Sequence, residues 1–222
     1  MKPMRNSITW FVAAMLLTQL FRCTGNQPDN VAGGLETTNG TTISVVDGTI
    51  TGITAAHALI IVCDTAYVPV ETGPLLFIDT VTSDTKGNFA VPELPQGTYT
   101  VITQHTGLSV GCLISPVKVD SAGTTATKDS SVFMPLAEIP VQTRTESAVA
   151  PKSIVFIPGT PFQTLTGETG TGLLTGIPSG TYRVQAYLKK QKDLEPQFYV
   201  STVDNVHASD STDMLNILLT PQ

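Results

Sequence analysis

Three histidines and three cysteines are the side chains of this sequence with the widest chemical repertoire, and their spacing points away from catalysis. His57, His105 and His207 are scattered, with no His-x-x-x-His pair beside a carboxylate that would hold a metal ion. His57 opens an apolar run and reads as its polar edge. No Gly-x-Ser-x-Gly elbow and no phosphate-binding loop occurs. The glycine-rich Thr166–Gly172 stretch precedes no helix and reads as a turn rather than an anion cradle. Asp84 with Asn88, and Asp204 with Asp210 and Asp213, lie near turns and lack the regular spacing of a calcium loop, so turn capping accounts for them better. Asp79, Asp120 and Asp129 are isolated. No catalytic residue, metal site or cofactor is therefore expected.

Cys23 has a different setting. Lys2 and Arg5 precede an uncharged, largely apolar run, Ile8 to Phe21, of 14 residues. A membrane-spanning helix wants about 20 apolar residues, whereas the core of a secretory signal wants about 7–15, so residues 1–22 read as a signal peptide forming an N-terminal signal helix. Leu20-Phe21-Arg22-Cys23 resembles the lipobox of bacterial lipoproteins, with Phe21 and Arg22 standing where that family has small residues. The resemblance implies acylation of Cys23 and a lipid anchor to a bacterial membrane, outer membrane or cell surface in preference to inner; the plainer reading is a secreted protein with a stray thiol. With Cys23 lipidated, Cys63 and Cys112 remain as an even pair in an oxidising compartment. They are either joined by a disulfide, which the chain-entropy model rates at about 4 kcal/mol for a loop of this length, or two separate buried thiols.

The elements that follow show where these residues sit. Residues 23–40 are poor in apolar side chains and read as a flexible tether, with Asn39-Gly40 a turn signal before the first strand. Beyond it the chain repeats itself. Lys86-Gly87-Asn88-Phe89 through Leu94-Pro95-Gln96-Gly97-Thr98-Tyr99-Thr100-Val101 aligns with Thr169-Gly170-Thr171-Gly172 through Ile177-Pro178-Ser179-Gly180-Thr181-Tyr182-Arg183-Val184 at a constant offset of 83. Leu59–Thr65 aligns with Ile154–Thr160 at an offset of 95, and the extra 12 residues fall in a loop around Ala66–Leu76.

In each copy an aliphatic run, Ala58–Cys63 or Ile154–Ile157, predicts a buried strand. Phe77–Ser83 predicts a second, ended by the Asp84–Gly87 turn. Gly97 is expected to supply a positive φ after Pro95. The next strand alternates, Tyr99 and Val101 against Thr98 and Thr100, which predicts one buried and one wet face; Tyr182, Val184, Ala186 and Leu188 alternate likewise with Arg183, Gln185 and Tyr187. Closing strands are expected at Ser131–Leu136 and Met214–Leu219. The fold class is all-β, two tandem antiparallel β-sandwiches of prealbumin or immunoglobulin type.

The Gly turn followed by Leu/Ile-Pro-x-Gly-Thr-Tyr-x-Val resembles the carboxypeptidase regulatory-like domain, a small transthyretin-like β-sandwich, over 41–136 and again over 137–222, with Gly172 standing where the first copy has Phe89. The resemblance implies a non-catalytic module found on carboxypeptidases, outer-membrane receptors and bacterial surface arrays.

The net charge of −6 argues against nucleic acid as partner, and the Lys189, Lys190 and Lys192 cluster is followed at once by Asp193 and Glu195. Trp10, the one tryptophan, lies in the signal segment. The expected role is a spacer or interaction module of the cell envelope, held to the membrane by lipid and meeting an envelope protein or polysaccharide. The alternative is a carbohydrate-binding adhesion module, with loop Ala66–Leu76 as its site and Tyr67, Phe77, Tyr187, Phe198 and Tyr199 as contributing rings, most of them assigned to the core.

Overall fold

The computed structural model describes residues 39–69, 78–120, 128–192, 195–209 and 213–222, all within one compact unit, Glu36–Gln222. It is all-β. The strands are β1 Gly40–Val46, β2 Thr49–Ile53, β3 Leu59–Asp64, β4 Ile78–Thr82, β5 Asn88–Val91, β6 Gly97–His105, β7 Val110–Val119 and β8 Lys128–Val132, followed by β9 Met134–Arg144, β10 Ile154–Phe156, β11 Gln163–Leu165, β12 Thr171–Pro178, β13 Gly180–Lys192, β14 Glu195–Ala208, β15 Leu215–Leu218 and β16 Thr220–Pro221. Among the described residues the one helical element is a single 3-10 turn, Thr106–Leu108.

Three sheets form, ordered β5-β2-β1-β8, then β12-β9-β7-β6-β3-β4 with β15 beside β9, then β11-β10-β13-β14-β16. Pairing is antiparallel except for β15, which runs parallel to β9. The expected closing strand Ser131–Leu136 is instead two strands in two sheets. Residue 132 ends β8 against β1, Phe133 donates its N–H to the Asn39 carbonyl, and Met134 opens β9 against β7. β9 runs on through residue 137 to pair with β12 and β15.

Two hydrophobic cores result. The first gathers Ile43 and Ile50 with Ile60, Val62, Tyr99, Val101 and Val117 between the first two sheets. The second gathers Ile139, Val141, Leu174 and Ile177 with Val155, Val184, Ala186 and Leu188 between the last two, and it also takes in Ile61, Cys63 and Ile102. β3 and β6 are therefore covered on both faces. The wet face expected of β6 is a correction: Thr100 and Ile102 are as buried as Tyr99 and Val101, because the second core lies against them. β13 does alternate, with Val184, Ala186 and Leu188 inward and Arg183, Gln185 and Tyr187 on the other face.

The repeat recurs in backbone register. Ile60 faces Thr103 as Val155 faces Ala186. Gly52 faces Phe89 as Val141 faces Gly172. That second correspondence explains Gly172. In the first copy the Phe89 ring lies within 2.6 Å of where a Gly52 Cβ would stand; in the second the large residue is on the opposite strand, Val141, and the glycine faces it. Volume is exchanged across the pair rather than lost, the kind of swap that packed cores tolerate best.

Candidate interaction site

Ser83 and Thr166 hold matched turns, one in each copy of the repeat. Ser83 Oγ accepts from the Ala58 N–H (2.9 Å) and donates to the Ala55 carbonyl (2.7 Å). Thr166 Oγ1 accepts from the Ser153 N–H (2.9 Å) and donates to the Ala150 carbonyl (3.3 Å). Between these partners His57 and Lys152 both sit at φ 58°, a left-handed conformation imposed by the same tight turn. Gly87 and Gly170, at φ 83° and 73°, back onto the carbonyls of Thr54 and Thr143, where any Cβ would collide.

The tyrosines repeat as well. Tyr99 Oη donates to the Pro95 carbonyl (2.7 Å) and Tyr182 Oη to the Pro178 carbonyl (2.5 Å), a tyrosine corner in each copy. A β-bulge follows immediately, between Tyr99 and Val101 on one side and Tyr182 and Val184 on the other. Burial pushes the Tyr182 phenol up to about 12, and burial together with the nearby Asp64 carboxylate raises that of Tyr99. Gly97 does not have the positive φ expected of it. That conformation belongs to Glu93 (φ 58°) and its counterpart Gly176 (φ 70°). Gly97 instead makes room, since a Cβ there would stand 3.2 Å from the Tyr99 ring.

The disulfide alternative is corrected. Cys63 and Cys112 are free and buried. They sit on β3 and β7 with β6 between, in register with Thr100 and Thr103 respectively. Side chains alternate along β6, so the two thiols lie on opposite faces of one sheet. Cys63 packs in the second core, and Cys112 Sγ donates to Thr41 Oγ1 (3.2 Å). Burial drives the Cys63 thiol up to about 12, and raises that of Cys112 against hydrogen bonds led by Thr41. Cys23, Trp10, Phe77 and Asp210 lie outside the described residues.

The carboxylates do not converge. Asp84 Oδ1 accepts from the Lys86 and Asn88 N–H groups (both 2.8 Å), and the Asn88 amide holds its carboxyl below the usual range. Asp204 pairs with Arg183 (2.5 Å) across β13 and β14. Asp204, His207 and Asp213 line an open groove of about 400 Å³ between β14 and the approach to β15, but among the described residues no group of three ligands is close enough to hold a metal. His207 Nδ1 hydrogen-bonds Thr181 Oγ1 (2.9 Å), while His57 and His105 stand elsewhere in the first copy.

The rings are where sequence reasoning fell short. Tyr187, which the alternation of β13 sets opposite the buried face, and Phe198 belong to neither core and lie half-buried on the outer side of the sheet formed by β11, β10, β13, β14 and β16. Their ring centroids are 5.9 Å apart and their planes differ by 30°. Tyr199, one residue on, packs inward against the second core beneath Lys190, whose Nζ lies 5.3 Å from its centroid. The alternation of Tyr187 with buried Ala186 and Leu188 was the signal that marked it as outward. Of the loop proposed as a ligand site, the described part, Ala66–Pro69, leans on the second copy through a hydrogen bond from the Gly159 N–H to the Tyr67 carbonyl (2.9 Å).

No protein-family model matches the chain, and no curated protein matches it. Among solved structures, the crystal structure of GBS52, the minor pilin of the gram-positive pathogen Streptococcus agalactiae, overlaps it at 12% sequence identity, over 77% of this chain and 86% of that one, with a TM-score of 0.30. An overlap that small carries no argument about role. Among the described residues no helix is long and apolar enough to cross a membrane.

Proposed function

We propose that this chain is a non-catalytic, lipid-anchored interaction module of the bacterial cell envelope, built from two carboxypeptidase regulatory-like sandwiches over 41–136 and 137–222. The observation that carries this reading is the use made of its polar side chains. Ser83, Thr166, Asp84, Asp204, Tyr99 and Tyr182 each close a turn, a corner or a strand pair, and four of them do so in matched positions of the two copies. Such groups serve the scaffold. Membrane attachment is proposed through Cys23, which follows the apolar run after Arg22; several acyl chains on one cysteine anchor a protein stably, each buried methylene adding about 0.8 kcal/mol. Metabolic labelling with a palmitate analogue tests it. Label is expected in the wild type and absent from Cys23→Ala, and equal label in both would remove the anchor.

A second reading, adhesion to carbohydrate, is favoured by one observation, the outward Tyr187–Phe198 ring pair, and it moves the site from the loop of the first copy to a sheet face of the second.

A further inference from the structure

Three of the nine large apolar side chains exposed among the described residues, Leu108 (66%), Val132 (64%) and Met134 (40%), belong to one end of the first copy, the end at which the chain enters the fold. Val132 faces Gly40, Met134 faces Gly111, the Phe133 N–H donates to the Asn39 carbonyl, and Cys112 Sγ donates to Thr41. From there β9 runs on past Pro135, opposite Val110, to Leu136, whose N–H donates to the Ser109 carbonyl. The Thr106–Leu108 turn therefore lies at the same end of the sandwich as Asn39, the first described residue. Segments 70–77 and 121–127 are entered from the opposite end, where Asp64 faces Tyr99 and Val119 faces Gly97.

We infer that this end of the first copy rests on a lipid surface, with Leu108, Val132 and Met134 entering the interface of the bilayer that holds the Cys23 anchor. This rests on the lipid-anchor reading and adds the orientation of the fold upon it. Reach is the first argument. Sixteen residue steps separate Cys23 from Asn39, a span of at most about 58 Å, so an anchored copy stays beside its bilayer and even a small apolar contact forms against a high effective concentration. Charge is the second. Residues 94–117 and 130–137, which supply the patch, contain no Asp, Glu, Lys or Arg, and over 94–137 Lys118 and Lys128 balance Asp120 and Asp129, while the whole chain carries −6. An acidic protein thus turns a neutral end toward the headgroups, where no charge has to be desolvated. Exposed Thr106, Ser109 and Ser130 beside the patch keep hydrogen-bonding partners in a hydrated headgroup layer. A second copy fits less well, since three apolar side chains fall far short of the roughly 20–30 residues a side that a stable protein interface uses.

Tryptophan quenching tests this on the chain from Cys23 onward, which keeps the compact unit Glu36–Gln222 whole and contains no tryptophan. The chain is coupled through Cys23 to a maleimide-bearing lipid in phosphatidylcholine vesicles; Cys63 and Cys112 are buried and do not compete. Leu108→Trp and Met134→Trp are each expected to shift their emission to the blue on coupling and to lose at least half of it when the lipid acyl chains are brominated. Leu165→Trp, equally exposed at 64% but on β11 of the second copy, controls for the affinity of tryptophan itself and is expected to lose none. Adding Met134→Asp to Leu108→Trp should abolish the quenching. Both positions are exposed, so neither substitution endangers the fold. Three outcomes would overturn the inference: no quenching at residues 108 and 134, equal quenching at residue 165, or a blue shift of Leu108→Trp that grows with protein concentration in the absence of vesicles, which would mean that a second copy covers the patch. Because the attachment is made chemically, absence of palmitate label in cells removes the natural anchor without touching this measurement, and absence of quenching leaves the anchor standing.

Discussion

Tyr99 and Tyr182 stand in matched local settings, each phenol hydrogen-bonded to the proline carbonyl four residues before it and each followed by a bulge in the strand pair it opens. The pairing of hydroxyl and carbonyl fixes how the chain turns from the Pro-x-Gly segment into the long strand. Removing the hydroxyl alone leaves the ring in the core and the carbonyl without its partner. Tyr99→Phe and Tyr182→Phe are each expected to lower stability by about 1–2 kcal/mol, measured by urea unfolding. A loss at one position and none at the other would mean that the two corners do different work.

The glycine turns offer a sharper contrast. Gly87 and Gly170 combine positive φ with a carbonyl in the space a Cβ would take, whereas Gly176 has the same φ and meets only the Gln104 side-chain amide at 3.5 Å. Gly87→Ala and Gly170→Ala are expected to cost more than about 2 kcal/mol, since conformational strain adds to collision. Gly176→Asn should cost well under that, because Glu93 adopts the same conformation in the first copy. Thermal unfolding of the three variants decides it; a Gly176→Asn protein as damaged as the other two would refute the steric account.

How much of this was legible in the sequence follows from what each feature needs. The repeat and the Gly87 turn were legible because local residues, Gly, Pro and Tyr at fixed offsets, make them, whereas the tyrosine corners and the place of the positive φ, at Glu93 and Gly176 rather than Gly97, were not. The equivalence of Thr54 with Thr143 was missed, as it lies at a third offset, 89, with too few matching residues to show. The double burial of β6 was missed because Thr98 and Thr100 read as solvent-facing, although Ile102 on that face signalled otherwise. The sides taken by Cys63 and Cys112 depend on which strands neighbour β6, which is information about the whole fold. The ring pair depends on register across a hairpin and was half visible in the alternation of β13.

Alkaline pH should unfold this protein early. Cys63 and Tyr182 are both pushed up to about 12 from ordinary values of 9.0 and 10.0, because burial disfavours their charged forms. The unfolded chain therefore releases these protons before the folded one does, and stability is whole below about pH 9 and falls as pH rises toward 12. The melting temperature is expected to decline steadily above pH 9, and Cys63→Val, a swap of similar volume, to flatten the first part of that decline while changing stability at pH 7 by less than about 1.5 kcal/mol. The free thiols should also react with an alkylating reagent only after unfolding. A constant melting temperature between pH 9 and pH 11 would contradict the burial.

The middle sheet makes the two cores depend on each other, and Ile102 is the residue that shows it. It lies in the first copy, between Val101 and Thr103 on β6, yet its side chain belongs to the second core with Ile61 and Cys63. Val101, its neighbour, belongs to the first. Truncating a buried isoleucine costs about 2–5 kcal/mol, the larger part where the surroundings cannot close over the cavity. Ile102→Ala should therefore weaken the far copy: amide exchange is expected to quicken at Val155 and Ala186, which pair with each other across β10 and β13. Val101→Ala should instead quicken exchange at Ile50 and Val91, paired across β2 and β5. Were Ile102→Ala to leave Val155 and Ala186 as protected as in the wild type, the two cores would be energetically separate despite the strands they share.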